Sequence, residues 1–255
     1  MNKVILATGS NSSYLSKIYG YLESIDVNSN FDKNFLVYFG EDVYSVIVPN
    51  AICVSKICDD EVVSKNSNHC LQHGAFVNSL DLNKFANDSD IIIFTDGDIR
   101  LQRNATEEEL MNFRSMSDFD VMVGFNESSS DNLLKELGRL SYNFFPSFTT
   151  EVELESFPCY NTGVIAMNKK TWRFLLDKYN EMFEYVNQSI NFYAKQQWLI
   201  SYILSKENSF NVINMSLVIH SHNHYSPPPE VKIMNDGVVF CGDKIVLFKH
   251  KWDIV

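Results

Sequence analysis

Ile91-Ile92-Ile93-Phe94-Thr95-Asp96-Gly97-Asp98 is the stretch on which the reading of this chain turns. Its first four residues are apolar and rich in β-branched side chains, which reads as a buried strand of a parallel sheet. The strand stops at two carboxylates separated by glycine. In extended backbone, residues i and i+2 face the same side, so Asp96 and Asp98 face one ligand together. Gly97 lets backbone, phosphate or metal approach closely. The carboxyl end of a parallel strand is where open α/β sheets bind ligands. Hard oxygen donors there suit Mn²⁺ or Mg²⁺, the ions that hold a substrate's phosphates. An Asp-Gly pair is equally ordinary turn chemistry, so the neighbouring segments have to decide.

Upstream, Val4 to Thr8 reads as a first buried strand, followed by a small polar loop, Thr8-Gly9-Ser10-Asn11-Ser12-Ser13. Thr8, Gly9 and Ser10 are candidates to line a nucleotide site, with an ordinary turn as the alternative. Tyr14 to Ile25 has helical apolar spacing, and Asn34 to Phe39, Val43 to Val48 and Ala51 to Val54 are strand candidates. Strand, helix, strand with short loops begins a doubly wound α/β sheet. No Gly-x-Gly-x-x-Gly or Walker sequence is present, which argues against a dinucleotide-binding fold or a P-loop enzyme. His69 to Leu82 reads as a helix leading into the Ile91 strand. Lys65, Gln72 and His73 beside it are either ligand contacts or a solvated face.

Downstream, Ile99-Arg100-Leu101 continues extended, and Thr106-Glu107-Glu108-Glu109 opens a helix with acids in its first turn. Phe119 to Phe125 is a strand, Leu133 to Leu140 a short helix, and Phe144 to Phe148 an aromatic loop suited to sugar rings or to core packing. Phe157 to Asn168 is the second informative stretch: Asn161-Thr162-Gly163 leads directly into a buried apolar strand. Gly163 there suggests close approach of another backbone or a ligand. A helix from about Lys170 to Val186, a second helix opening at Lys195-Gln196-Gln197 and a strand over Val212 to Ile219 follow. His220, His222 and His224 come next. Pro227-Pro228-Pro229 breaks the chain locally. A hairpin around Cys241-Gly242-Asp243 precedes Lys249-His250-Lys251-Trp252.

With 255 residues, 45% hydrophobic and 21% charged, the chain has the composition of a globular protein. A net charge of −11 argues against a nucleic-acid or anionic-membrane surface. An acidic protein that handles an anionic substrate recruits a divalent cation. No apolar run reaches the length of a transmembrane segment, and the first residues lack a signal-peptide pattern. The five cysteines are odd in number and scattered, as in a cytoplasmic protein with reduced thiols.

Taken in order, Asp96-Gly97-Asp98, Asn161-Thr162-Gly163-Val164, Gln196-Gln197 and His250-Lys251-Trp252 resemble the nucleotide-sugar glycosyltransferases of the GT-A fold, most closely the glycogenin/galactosyltransferase-like group. The resemblance implies an α/β, Rossmann-like, mostly parallel sheet flanked by helices, in one domain over 1–255. Residues 1–125 would be the nucleotide-binding half, and 126–255 the acceptor-binding half with a C-terminal metal-site segment. It further implies a nucleoside diphosphate sugar donor, UDP-linked by analogy, a glycan, protein or small-molecule hydroxyl acceptor, and Mn²⁺ or Mg²⁺ held by Asp96, Asp98 and His250. His220, His222 and His224 compete as the third ligand. Lys251 would touch the diphosphate, Asn161, Thr162 and Gly163 the donor sugar, and Gln197 the anomeric carbon. Gln196 stands where relatives often have an aspartate, and the Lys-Pro-Trp ending of relatives lacks its proline here. An inverting reaction needs a carboxylate base, for which Glu127, Glu151, Glu153 and Glu155 are candidates. Retention needs none, and Gln196-Gln197 favours it. The rivals are a non-catalytic nucleotide-sugar-binding module and a phosphatase of the haloacid dehalogenase type. The latter normally carries its Asp-x-Asp near the N-terminus.

Overall fold

In the computed structural model, β1 (Val4–Asn11) and β4 (Ile91–Thr95) lie side by side and parallel, Val4 opposite Ile91 and Thr8 opposite Thr95. Residues 2–11, 15–39, 52–56, 86–125, 132–139, 148–189, 195–215, 218–220, 231–235 and 238–250 are described by the structure. Outward from β1 run β2 (Lys33–Phe39) and β3 (Ile52–Lys56), both parallel to it. On the other side of β4 come β7 (Tyr160–Asn168), antiparallel to it, then β6 (Asp120–Phe125) and β8 (Asn211–Asn214). The order β3-β2-β1-β4-β7-β6-β8 is a mostly parallel sheet with β7 running against its neighbours.

Alternation along the central strands feeds two cores. Ile5, Ala7, Ile92, Phe94, Ile165 and Met167 face one side; Val4, Leu6, Ile91, Ile93, Val164 and Ala166 face the other. Because both faces are covered, these strands are apolar throughout instead of alternating with polar residues. The first side is covered by α3 (Leu133–Arg139), α4 (Glu151–Ser156), α5 (Lys169–Ser189) and α6 (Lys195–Lys206). The second side is covered by α1 (Leu15–Asn28) and α2 (Glu107–Arg114). Trp172 and Trp198, both fully buried, anchor α5 and α6, and their indole N–H groups donate to Ile92 O and Leu133 O.

Two small sheets flank the site end. In one, β13 (Phe248–His250) lies between β5 (Ile99–Leu101), antiparallel, and β9 (Val218–His220), parallel. The other is β10 (Val231–Ile233), β11 (Val239–Cys241) and β12 (Lys244–Ile245), with Gly242 at φ 61° in the β11–β12 turn. The Gln102 amide joins the two, donating to Val239 O and Val246 O and accepting from Val239 N–H.

The mostly parallel α/β sheet agrees with expectation, and the differences are local. β1 continues to Asn11, so Gly9 and Ser10 are strand residues paired with Val37 and Tyr38, not loop. The expected Val212 to Ile219 strand is two: β8 joins the main sheet, and β9 joins β13. Apolar continuity signals a strand but not which sheet receives it. Helix α4 had no counterpart in the reading. Expected features at 43–48, 65, 69–82, 127, 140, 144–147, 222, 224, 227–229 and 251–252 lie outside the described residues. Among the described residues, no helix is long and apolar enough to cross a membrane. Cys159 and Cys241 are free thiols.

Candidate functional site

A buried polar knot supports the carboxylate turn from below. Thr8, fully enclosed, donates its hydroxyl to Thr95 O at 2.8 Å. The Thr95 hydroxyl reaches Tyr21 Oη at 3.1 Å and Ala7 O at 3.4 Å. Burial, only partly opposed by the Thr95 bond, pushes the Tyr21 phenol far above its ordinary pKa, so it stays neutral. Thr8 thus braces the end of β4. The side chain of Ser10 lies outside the described residues.

Directly after Thr95 the chain turns. Asp96 N–H donates to Gly163 O at 2.8 Å, and Ile99 N–H donates back to Asp96 O at 3.2 Å. Asp96, Gly97 and Asp98 are half-buried. The two informative stretches of the sequence therefore meet through a main-chain hydrogen bond. The turn hands the chain to β5, where Ile99 pairs with His250 on β13 and His250 pairs with His220 on β9. Strands stand about 4.8 Å apart, so the His250 backbone is one strand from the residue after Asp98, and that of His220 is two. The side chains of His220 and His250 lie outside the described residues, as do His222, His224 and Lys251. Among the described residues, no group of three or more His, Cys, Asp or Glu side chains gathers into a metal site. The donor pair of Asp96 and Asp98 suits a hard divalent ion, and the register brings one further donor-bearing residue beside it.

Gly163 belongs to an irregular segment of β7. Pairing with β6 jumps from Val123–Ile165 to Gly124–Asn161, leaving Thr162 to Val164 outside the β6 register, with Val164 paired to Thr95 of β4. Asn161 is 3% exposed, and its Oδ1 accepts from Gly163 N–H at 2.9 Å, which fixes the bend. One residue earlier, Tyr160 N–H donates to Ser201 Oγ at 3.0 Å, and the Ser201 hydroxyl lies 2.8 Å from Gln197 O. This clamp sets the first turn of α6 against the start of β7. Gln197 is half-buried, its Nε2 3.9 Å from Cys159 Sγ. Gln196 is in the same turn, with its side chain outside the described residues. Hydrogen bonds thus join Asp96 to Gly163 and Gly163 to Asn161, and the neighbouring Tyr160, through Ser201, to the backbone of Gln197.

Of the carboxylates considered as bases, Glu153 is otherwise engaged. Its bond to Lys206, helped by one from Thr149, holds its carboxyl below the usual range. Lys206 ends α6, nine residues beyond Gln197 and so about 13 Å away along the helix axis. Glu151 and Glu155 are exposed on α4. Tyr21 and Ser201 were missed as parts of the site; each acts through a partner distant in sequence. Local pattern carried no signal for them.

No family model matches the chain, and no curated protein matches it by sequence. Solved structures do match in three dimensions. Against galactosyltransferase LgtC in complex with donor and acceptor sugar analogs, the TM-score is 0.58 at 10% identity, covering 96% of this chain and 86% of that one. Against an LgtC active-site mutant carrying glutamate for glutamine, the TM-score is 0.57 at 11% identity, with the same coverage. The chain has the GT-A fold of these glycosyltransferases.

Proposed function

We propose that this protein is a metal-dependent glycosyltransferase that moves a sugar from a nucleoside diphosphate sugar, UDP-linked, to a hydroxyl acceptor, acting as a single GT-A domain. The observation that carries the reading is the bond from Asp96 N–H to Gly163 O. It joins a strand-end carboxylate pair to the Asn161–Gly163 bend on a fold whose structural neighbours include a galactosyltransferase. Asp96 and Asp98 hold the ion, Mn²⁺ or Mg²⁺, with His250 as the third ligand. The register of β5, β13 and β9 supports His250 over His220. When bound, the ion supplies Lewis-acid stabilisation of the charge left on the departing diphosphate. Lys251 adds a positive charge there. Asn161, Thr162 and Gly163 line the donor sugar, and the backbone of Gly9 and Ser10 approaches the nucleotide.

Gln197 presents its amide to the anomeric carbon, with Gln196 beside it. An active-site glutamine was also the residue exchanged in the LgtC mutant. Retention is favoured over inversion, because the Gln196-Gln197 pair calls for no carboxylate base and Glu153, one of the four candidates for such a base, is tied to Lys206. Proton NMR of the product checks this: an anomeric configuration opposite to the donor's sinks retention. The central claim is tested by calorimetry of UDP with Mn²⁺. Loss of an outer-shell partner alone costs 10–100-fold in metal affinity, so Asp98→Ala should weaken Mn²⁺-dependent binding at least about 100-fold. Unchanged affinity in that variant overturns the reading.

A further inference from the structure

β5 has two edges, and among the described residues only one faces a strand. Register with β13 pairs Arg100 with Lys249. The other edge, made of the Ile99 and Leu101 peptide groups, is completed by side chains and by the turn itself. Leu101 N–H donates to Ser24 Oγ at 3.1 Å, and Leu101 O accepts from Asn28 Nδ2 at 3.0 Å, both from α1. Ile99 N–H goes to Asp96 O. Ile99 O accepts from Arg100 Nη1 at 2.9 Å, and the same nitrogen lies 3.4 Å from Gly97 O. One guanidinium therefore bridges the carbonyls on either side of Asp98. It does so by lying flat on α1 at Gly20, where a Cβ would come within 2.6 Å of Arg100 Nε and 2.7 Å of Nη2. A glycine inside a helix carries a propensity cost, and here its bare surface is the seat of the arginine.

We propose that Arg100 is a positioning residue for the Asp96–Asp98 turn, seated in a notch that α1 provides at Gly20. It sets the angle at which Asp98 is presented to a divalent cation and the diphosphate that cation holds. The ligand named here rests on the function proposed above; the geometry does not. Lysine cannot replace it, because a compact ammonium has no planar face to lie against Gly20 while its nitrogen reaches both carbonyls.

The test compares wild type, Gly20→Ala and Arg100→Lys. Alanine favours the helix, and what it displaces is the end of a flexible side chain, so the Gly20 variant folds. Native-state hydrogen exchange is the first readout. Amides of residues 97–99 should exchange roughly tenfold faster in both variants, with β4 amides 91–95 unchanged. Calorimetry is the second: the Mn²⁺ concentration for half-maximal UDP binding should rise about tenfold, the scale of one lost charge-assisted hydrogen bond. Wild-type exchange at 97–99 in both variants overturns the positioning role, whatever the protein binds. Faster exchange with unaltered Mn²⁺ dependence overturns the link to the cation. A wild type that binds no UDP with Mn²⁺ refutes the proposed function instead, and the exchange readout still decides whether Arg100 holds the turn.

Discussion

Ser201 has one proton to give and two carbonyls near it, Gln197 O at 2.8 Å and Tyr160 O at 3.3 Å. The shorter bond takes the proton, and the lone pairs accept Tyr160 N–H. Ser201→Ala thus leaves a buried amide without its acceptor, a loss of about 1–3 kcal/mol. Urea unfolding should register it, and a stability equal to wild type would mean that water or a shift of α6 replaces the hydroxyl. Gln197 is the contrasting case. Half-buried at the first turn of α6, its side chain makes only a long contact to Cys159 Sγ among the described residues, so its loss should cost the fold little. Under the proposed function its amide acts on the reaction as a dipole held near developing charge. Removing one such group typically costs about 10²–10³ in kcat. Gln197→Ala should therefore lower UDP-sugar turnover by roughly 100-fold while leaving UDP affinity within about twofold; equal losses in both would assign Gln197 to nucleotide binding.

Helix α2 shows how far a single element can be read before its partners are known. Thr106 caps it, its hydroxyl accepting from Glu109 N–H while the Glu109 carboxylate accepts from Thr106 N–H at 2.8 Å. Both residues are visible in the sequence as a helix start. Invisible there is Arg103, whose two guanidinium nitrogens grip the same carboxylate at 2.6 and 2.7 Å. Burial pushes the Glu109 carboxyl up, but the Arg103 and Thr106 bonds outweigh it and leave its pKa below the usual range. A depressed folded pKa stabilises above the unfolded value, about 4.3, and the stabilisation is lost as pH falls through the folded one. Glu109→Gln should cost about 1 kcal/mol at pH 7, a gap that closes as unfolding is measured at successively lower pH below about 4. A constant gap would show that the charge is not what matters. The same boundary between local and distant information runs through the site. Asp96-Gly97-Asp98 and Asn161-Thr162-Gly163 were legible because strand, turn and glycine chemistry are local. The seat of Arg100 on Gly20, the Ser201 clamp and the division of 212–219 between two sheets depend on which elements become neighbours, and no local period encodes that.

At the scale of the molecule, one sheet end collects the described residues on which the proposed function rests. β1 and β4 run parallel to the same level, β7 returns between β4 and β6, and the bend at Asn161–Gly163 closes over Asp96. This end sits in a protein of net charge −11. A nucleoside diphosphate is itself an anion, so without a cation the field of the whole chain opposes its approach. Coulombic repulsion of this kind is only weakened by monovalent salt, whereas a divalent ion between the carboxylates and the phosphates reverses its sign locally. UDP and Mn²⁺ should consequently stabilise the fold together and not singly. At a UDP concentration of about 100 Kd the expected gain is about 2.7 kcal/mol. For a chain of this length each kcal/mol raises Tm by about 2–4 °C, giving roughly 5–10 °C in total. EDTA should abolish the shift, Mg²⁺ should restore part or all of it, and raising NaCl in place of the divalent ion should not. A shift with UDP that persists unchanged in EDTA would locate nucleotide binding away from Asp96 and Asp98 and leave the carboxylate turn without its assigned role.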